Sequence, residues 1–152
     1  MIRIRPYKIS DADAILSWCQ NEKAFYQWTA GIIGGYPASK AEFAQLNKLM
    51  QFTALDEKEV VGYFTARNPK DTLDELRFGF VIVRPDKRGK GYGKAGIKLA
   101  LDFIKTWPCG KAEYCVISYE PENEAAKNLY ASFGFEENGE MADEEVVAVL
   151  KL

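Results

Sequence analysis

The sequence of 152 residues contains no histidine. That absence excludes Ser-His-Asp and Cys-His catalysis, HExxH metal sites and zinc fingers that use histidine. Any acid–base chemistry near neutral pH must therefore use a carboxylate, a tyrosine, a thiol, an amine or water. The three cysteines, Cys19, Cys109 and Cys115, include no CxxC pair, and an odd count argues against a disulfide framework. We expect reduced thiols and no metal site.

A strong net charge and long apolar runs are also missing. Lysine and arginine total 20 against 22 acidic residues, and a net charge of −2 argues against nucleic-acid binding by bulk charge. No apolar run approaches the roughly 20 residues that span a bilayer, and residues 1–6 lack the apolar core of a signal peptide. The length and an apolar content of 47% predict one domain over residues 1–152. We expect a cytoplasmic protein that binds neither nucleic acid nor membrane.

Apolar periodicity divides the chain into strands and helices. Expected strands cover residues 2–5, 52–55, 60–67, 76–83, 113–118, 135–140 and 146–150. Two expected helices begin at Ser10 or Asp11 and at Ser39, where Glu42 completes a capping box, and the second carries Phe43, Leu46 and Leu49 or Met50 on one face. Two more cover residues 91–107 and 123–133, and the apolar face of the 91–107 helix carries Ile97, Ala100, Leu101, Phe103, Ile104 and Trp107. Residues 25–37 read as an irregular loop or a short helix. This order predicts an α/β fold: a mixed, mostly antiparallel central sheet with one right-handed parallel β-α-β crossover.

The strongest chemical signal is a glycine-rich turn, Arg84-Pro-Asp-Lys-Arg-Gly-Lys-Gly-Tyr-Gly-Lys94. It follows an apolar strand and opens a helix, and the start of a helix binds anions through its free N–H groups and partial positive charge. Glycines let the backbone approach a phosphate closely, while Arg88, Lys90 and Lys94 add positive charge. A phosphate or pyrophosphate is the natural ligand, and the alternative is a tight turn on a solvated basic patch.

Two better-known phosphate motifs do not fit this turn. Gly91-Tyr-Gly-Lys-Ala-Gly96 matches the GxGxxG dinucleotide fingerprint, but it follows an antiparallel meander and no acidic residue closes the next strand at the expected distance of about 20 residues. A P-loop is excluded because Ala95 replaces the serine or threonine and Arg88 stands where the first glycine is required.

Two motifs together resemble the GNAT superfamily of N-acetyltransferases. Arg88-Gly-Lys-Gly-Tyr-Gly93 fits the family signature (Q/R)-x-x-G-x-(G/A), with a strand before it and a long helix after it. Asn123-Glu-Ala-Ala-Lys-Asn-Leu-Tyr-Ala-Ser-Phe-Gly-Phe135 is similar to the family's N-x-x-A-x-x-L-Y-x-x-x-G-F. The resemblance covers about residues 76–135 and implies a GNAT-like acyl-CoA N-acyltransferase fold.

The resemblance also implies acetyl-CoA as the donor cosubstrate. Main-chain N–H groups of the turn would hold its pyrophosphate, namely those of Arg88, Gly89, Lys90, Gly91, Tyr92, Gly93 and Lys94. The strand Val81-Ile82-Val83 would pair with the pantetheine arm and present an N–H to the thioester oxygen, where the central strand and the next parallel strand splay apart. Asn123 matches a position that commonly touches the coenzyme, and it also reads as a helix N-cap.

The same resemblance assigns candidate catalytic roles. Tyr130 matches the family's usual general acid, although a core aromatic on the same helix face is the alternative. The general base is open, because Arg77 stands where some family members carry a glutamate. Glu75, at the same strand parity, is the first candidate for base or acceptor anchor, and the alternative is a solvated turn residue; Glu120 is a weaker candidate.

The expected function is transfer of an acetyl group from acetyl-CoA to a primary amine, by direct attack in a ternary complex. The acceptor would be a small metabolite, an amino acid, a polyamine, an antibiotic or a protein N-terminus. Four aromatic residues fall in the region that commonly lines the acceptor pocket in this family, and the alternative is that they pack in the core and loops: Phe25, Tyr26, Trp28 and Tyr36. A non-catalytic acyl-CoA sensor and a nucleotide-binding regulatory domain are the alternatives. The exposed terminal hairpin could support a homodimer by edge pairing.

Overall fold

The computed structural model describes residues 1–29, 35–43, 50–67, 75–105 and 113–152. The chain divides into two compact units. Unit 1 comprises Met1–Thr65 with Phe80–Leu99, and unit 2 comprises Ala66–Gly79 with Ala100–Leu152. A single domain over residues 1–152 stays a prediction. None of the described helices is long and apolar enough to cross a membrane.

The described part of the chain forms seven strands and five helices. In chain order they are β1 (Ile2–Pro6), α1 (Ala12–Ser17), α2 (Glu22–Thr29), α3 (Lys40–Phe43), β2 (Met50–Asp56), β3 (Glu59–Arg67), β4 (Glu75–Val83), α4 (Tyr92–Lys105), β5 (Tyr114–Tyr119), α5 (Glu124–Ser132), β6 (Glu136–Ala142) and β7 (Glu145–Lys151). Short 3-10 turns, Ile9–Asp11 and Pro85–Lys87, precede α1 and α4.

The strand order is β1-β2-β3-β4-β5-β7-β6. β1 pairs antiparallel with β2, and β7 pairs antiparallel with both β5 and β6. β4 and β5 are parallel, with Glu75 opposite Tyr114 and Arg77 opposite Val116. Parallel neighbouring strands need a crossover connection, which usually contains a helix, and α4 lies in the connection between β4 and β5. The predicted fold class, a mixed and mostly antiparallel sheet with one parallel crossover, is confirmed.

Unit 1 is held by an aromatic core and a buried ion pair. Phe43 is fully buried, and its ring meets those of Tyr7 and Tyr63 at centroid distances of 5.5 and 5.3 Å. Asp11 is 4% exposed and accepts two hydrogen bonds from the Arg5 guanidinium, at 2.7 and 2.8 Å. The Lys8 N–H and the Thr53 hydroxyl each donate to the same carboxylate at 3.0 Å. These bonds tie β1, the turn before α1 and β2 together.

In unit 2, helix α5 packs on one face of β5. The Tyr130 ring stacks on Tyr119 with the centroids 6.0 Å apart and the planes 16° apart. The Asn123 side chain accepts from the Ala126 N–H at 3.1 Å, so the predicted N-cap is confirmed. At the other end Gly134 has φ +97°, which is the left-handed conformation that commonly follows a helix.

Most predicted elements are confirmed, and the differences are local. The capping box of α3 forms, because Ser39 N–H donates to Glu42 Oε2 at 2.7 Å and Glu42 N–H donates to Ser39 Oγ at 3.2 Å. Met50 was expected near the end of that helix, but it opens β2. On α4, Ile97, Ala100 and Leu101 are buried as predicted, whereas Phe103 is 37% exposed. The predicted helical positions Trp107, Leu46 and Leu49 lie outside the described residues.

Candidate active site

The turn between β4 and α4 bends through two glycines with positive φ. Gly89 has φ +73° and Gly91 has φ +82°, a region that residues with a Cβ atom enter at a cost. A Cβ atom built on either glycine meets no atom within 4 Å, so open space lies beside the main chain. The glycines therefore set the backbone conformation and leave the backbone accessible to a ligand.

The same turn exposes a run of main-chain donors. The N–H groups from Gly89 to Lys94 have no hydrogen-bond acceptor among the described residues. The first helical bond of α4 joins the Ala95 N–H to the Gly91 carbonyl at 3.0 Å. The Arg88 N–H differs, because it donates to the Pro85 carbonyl at 3.3 Å. Of the seven N–H groups predicted to hold a pyrophosphate, that of Arg88 is therefore already bonded, and the other six, from Gly89 to Lys94, make up the proposed pyrophosphate cradle.

The end of β4 also has donors directed away from β3. The Arg84 N–H donates to the Val61 carbonyl of β3 at 2.9 Å. Because N–H groups alternate in direction along a strand, the Ile82 N–H also points to β3, whereas those of Val81 and Val83 point away from it. Arg88 Nε donates to the Val83 carbonyl on that outer side at 3.1 Å. Val81 and Val83, rather than Ile82, present the N–H groups that a ligand could use.

The cations around the turn fall into two groups. Arg84 Nε lies 2.6 Å from Asp86 Oδ1, and Lys87 Nζ lies 3.9 Å from Glu59 Oε2. These two cations are neutralised by neighbouring carboxylates. Arg88, Lys90 and Lys94 are exposed and have no ion pair with any residue that the structure describes. Their charge is therefore available to an anionic ligand at the free N–H groups.

Tyr92 fixes the first turn of α4 to β2. Its hydroxyl donates to Asp56 Oδ2 at 2.7 Å, and the Met1 ammonium lies 3.2 Å from Oδ1 of the same carboxylate. The Lys87 ammonium lies 5.3 Å from the centroid of the Tyr92 ring. The hydrogen bond from Tyr92 and the Met1 ammonium hold the pKa of Asp56 below its ordinary value. Asp56 therefore stays ionised and accepts these bonds throughout the neutral range.

Tyr130 is a buried phenol with an unpaired hydroxyl. The residue is 7% exposed and its ring also meets Phe135 edge-on at 5.7 Å. Its hydroxyl makes no hydrogen bond to the residues that the structure describes. Burial raises the pKa of Tyr130, and Cys115 and Glu145 act in the same direction. The phenol therefore keeps its proton at neutral pH, which is the state of a general acid.

Glu75 lies at the other end of β5 from Tyr130. It opens β4 opposite Tyr114, the first residue of β5, whereas Tyr130 stacks on Tyr119, the last residue. Tyr114 and Tyr119 are five positions apart along β5, roughly 16 Å at the usual rise per residue. This separation disfavours direct cooperation between Glu75 and Tyr130.

A family model described as "Acetyltransferase (GNAT) family" matches residues 13–135. The chain belongs to this GNAT family. The match includes the glycine turn and the α5 motif, so the resemblance predicted from those two motifs is confirmed. A comparison with curated proteins finds no significant match.

Solved GNAT structures share the fold of this chain at low sequence identity. A spermidine N-acetyltransferase from Vibrio cholerae, in complex with CoA and spermine, has a TM-score of 0.78 at 20% identity and covers 99% of this chain and 94% of its own. The PaiA N-acetyltransferase from Thermoplasma acidophilum, in complex with coenzyme A, has a TM-score of 0.74 at 14% identity; the match covers 100% of this chain and 99% of that protein. An aminoglycoside acetyltransferase in complex with coenzyme A and kanamycin has a TM-score of 0.80 at 14% identity; the match covers 99% of this chain and 95% of that protein.

The other residues predicted for the site have ordinary roles in capping and packing, or are exposed to solvent. Asn123 is exposed at the start of α5 and its amide oxygen is used by the helix cap. Phe25 is 3% exposed and meets Trp28 edge-on at 6.1 Å, which is core packing, whereas Tyr26 is 62% exposed. In the described ranges, no group of three histidine, cysteine or acidic residues could hold a metal ion.

Two features of the site were missed by the sequence analysis. The first is the bond from Tyr92 to Asp56, because Asp56 reads only as a polar turn residue. The second is the carboxylate of Glu145, which acts to raise the pKa of Tyr130 and which directly precedes the residues predicted for the last strand. Both depend on contacts between distant parts of the chain, so no local pattern could have identified them.

Proposed function

We propose that this GNAT protein transfers an acetyl group from acetyl-CoA to a primary amine by direct attack in a ternary complex. The observation that carries the proposal is the run of N–H groups from Gly89 to Lys94, which have no acceptor among the described residues and which include two glycines with positive φ. Such a run at a helix start suits a diphosphate, and coenzyme A contains one. The CoA-bound structures of the same fold support this donor.

In unit 1 the chain would bind and orient the donor. The N–H groups of Gly89 to Lys94 would hold the pyrophosphate, with Arg88, Lys90 and Lys94 supplying positive charge. The outer N–H groups of Val81 and Val83 would bind the pantetheine arm and the thioester oxygen. A donor at that oxygen stabilises the negative charge that grows as the carbonyl carbon becomes tetrahedral.

In unit 2, Tyr130 would supply the proton for the leaving group. The acceptor nitrogen forms a bond to the carbonyl carbon, the carbon–sulfur bond breaks, and the phenol gives its proton to the sulfur. The proton that the nitrogen loses restores the phenol. Burial keeps Tyr130 protonated beforehand, and its hydroxyl, which has no hydrogen-bond partner in the described part of the chain, would be available to a ligand.

Direct attack is favoured over an acyl-enzyme by the state of the described thiols. Cys19 and Cys115 are free and buried. Burial raises the pKa of both thiols, to about 12 for Cys115, so neither forms a thiolate readily. Sequential rather than ping-pong kinetics are expected.

The acceptor would be a small cationic amine. The net charge of −2 favours a cation, and structures of the same fold were crystallised with spermine and kanamycin, which carry several amines. Glu75 stays a predicted base or acceptor anchor from the sequence. The predicted homodimer would use the edge strand β6, and sedimentation of the purified chain tests it.

The decisive experiment is an acceptor screen with acetyl-CoA, read by release of the CoA thiol, beside calorimetry with CoA. We expect micromolar CoA binding and thiol release that depends on the amine. A protein that binds CoA but releases no thiol with polyamines, aminoglycosides, amino acids or peptides would be the sensor. A protein that does not bind CoA would refute both.

A further inference from the structure

The Arg88 side chain folds back onto the end of β4. Its Nε donates to the main-chain carbonyl of Val83 at 3.1 Å. The 3-10 turn Pro85–Lys87 bends the chain back to that point, and the Arg88 N–H closes the turn by donating to the Pro85 carbonyl at 3.3 Å. Arg88 is exposed, so the bond to Val83 lies at the surface. The guanidinium therefore covers a main-chain acceptor at the outer edge of β4.

The covered carbonyl belongs to the edge that is proposed to bind the pantetheine arm. In a strand the N–H and the carbonyl of one residue point to the same side, so the Val83 carbonyl shares the outer edge with the N–H groups of Val81 and Val83. A chain that pairs with a strand edge uses the acceptors of that edge as well as its donors. Pantetheine contains two amide groups, and each has an N–H that needs an acceptor. Arg88 thus holds an acceptor that the arm would use.

Arg88 can leave this position more easily than its neighbour Arg84. Arg84 donates to both carboxylate oxygens of Asp86, at 2.6 and 2.7 Å. Arg88 makes no ion pair with any residue in the described ranges, and its bond to Val83 joins a cation to a neutral carbonyl in contact with solvent. A guanidinium and a phosphate carry opposite charges and form a stronger, often bidentate pair. Because the pyrophosphate cradle begins at Gly89, the next residue, a phosphate bound there would draw the guanidinium from Val83.

We propose that Arg88 is a specificity residue, which makes binding of the donor depend on its phosphate groups. The proposal rests on the proposed acetyl transfer and narrows the class of donor. A phosphate in the cradle gives the guanidinium a stronger partner, so the Val83 carbonyl becomes free for a pantetheine amide. A pantetheine thioester without phosphate offers no such partner and must compete with Arg88 for that carbonyl. One side chain therefore favours coenzyme A thioesters and disfavours phosphate-free ones.

The test compares the dissociation constants of CoA, 4′-phosphopantetheine and pantetheine for the wild type and Arg88→Ala. Calorimetry measures CoA, and displacement of CoA measures the two smaller ligands, with allowance for the CoA affinity of each protein. In Arg88→Ala, CoA and 4′-phosphopantetheine should bind about tenfold more weakly, because a charged bond to phosphate is lost. Pantetheine should bind roughly threefold to tenfold more tightly, because it no longer has to break the bond from Arg88 to Val83. A residue that only contacts phosphate would leave pantetheine unchanged.

Lys90→Ala is the matched control, because Lys90 is another exposed cation of the same turn. It should weaken CoA and leave the pantetheine affinity close to the wild-type value. Tighter pantetheine binding in Lys90→Ala, or unchanged or weaker pantetheine binding in Arg88→Ala, overturns the role of Arg88 while acetyl transfer stands. An unchanged CoA affinity in Arg88→Ala overturns it as well, because no phosphate then draws the guanidinium away. A wild type that binds no CoA overturns the proposed donor, and with it the proposed function.

Discussion

The glycine turn permits a matched pair of substitutions with opposite expected effects. Gly91 has φ +82°, and Gly96 lies within α4 at an ordinary helical position. A Cβ atom on either residue meets nothing within 4 Å, so neither Gly91→Ala nor Gly96→Ala creates a clash. The two changes add the same methyl group five positions apart. Any difference between them therefore comes from the backbone conformation and from what binds the turn.

The structure fixes the expected magnitudes. An alanine at the positive φ of Gly91 should destabilise the fold by roughly 1–2 kcal/mol. An alanine at Gly96 should stabilise it by roughly 0.5–1 kcal/mol, because alanine loses less backbone entropy in a helix. For a chain of this length each kcal/mol corresponds to about 2–4 °C in Tm. The melting temperatures should thus move in opposite directions by a few degrees.

Coenzyme binding separates the two variants further. At Gly91 the added methyl stands beside the N–H groups proposed to hold the pyrophosphate, so CoA affinity should fall tenfold or more. At Gly96 the affinity should stay within twofold of the wild type. Differential scanning fluorimetry and calorimetry with CoA measure both effects. Equal CoA affinity in the two variants would refute the proposed cradle, and melting shifts of the same sign would refute the backbone argument.

Three more substitutions test separate parts of the molecule. Tyr130→Phe should lower kcat at least tenfold, and about 10²-fold is usual for an acid–base group, with CoA affinity preserved; an unchanged kcat removes the acid role. Tyr92→Phe removes the 2.7 Å bond to Asp56 and should raise KM for acetyl-CoA about fivefold at constant kcat, and an unaltered KM argues that the bond does not position the turn. Asp11→Asn should cost roughly 2–3 kcal/mol in urea denaturation at pH 7, because Arg5 loses its partner but is itself partly exposed. Burial alone would raise the pKa of Asp11, but Arg5, Lys8 and Thr53 outweigh it and lower that pKa. The wild-type advantage should therefore be complete above the ordinary pKa of 3.8 and shrink as pH falls through the lower folded value; an advantage that does not shrink on acidification contradicts this.

Much of the fold could be predicted because its signals are local. The continuous apolar run of β4, the apolar stripe of α4 and the caps at Ser39 and Asn123 each depend on residues within a few positions of one another. The glycine turn is equally local, since positive φ and free helix N–H groups are properties of a short segment. These signals predicted the strands and the long helices, and they are also the basis for the proposed donor half of the site.

The parts that could not be predicted depend on pairing between distant segments. Asp56 and Tyr92 are separated by 36 positions, and Asp11 and Thr53 by 42. Glu145 gains its surroundings only when β7 pairs with β5, and a shift of the register by one residue would move it to the other face. Glu75 is a candidate because it lies two positions before Arg77 and therefore on the same face of β4. That spacing determines the face of the strand, but it does not determine how close Glu75 lies to Tyr130. The structure places it at the far end of β5 from Tyr130.

Burial prepares the proposed catalytic group of unit 2 for its role. Desolvation disfavours the charged form of any acid, so it raises the pKa of the Tyr130 phenol. The rise keeps the proton in place until a departing thiolate needs it. A chain without histidine can therefore keep a protonated acid near neutral pH by burying a tyrosine.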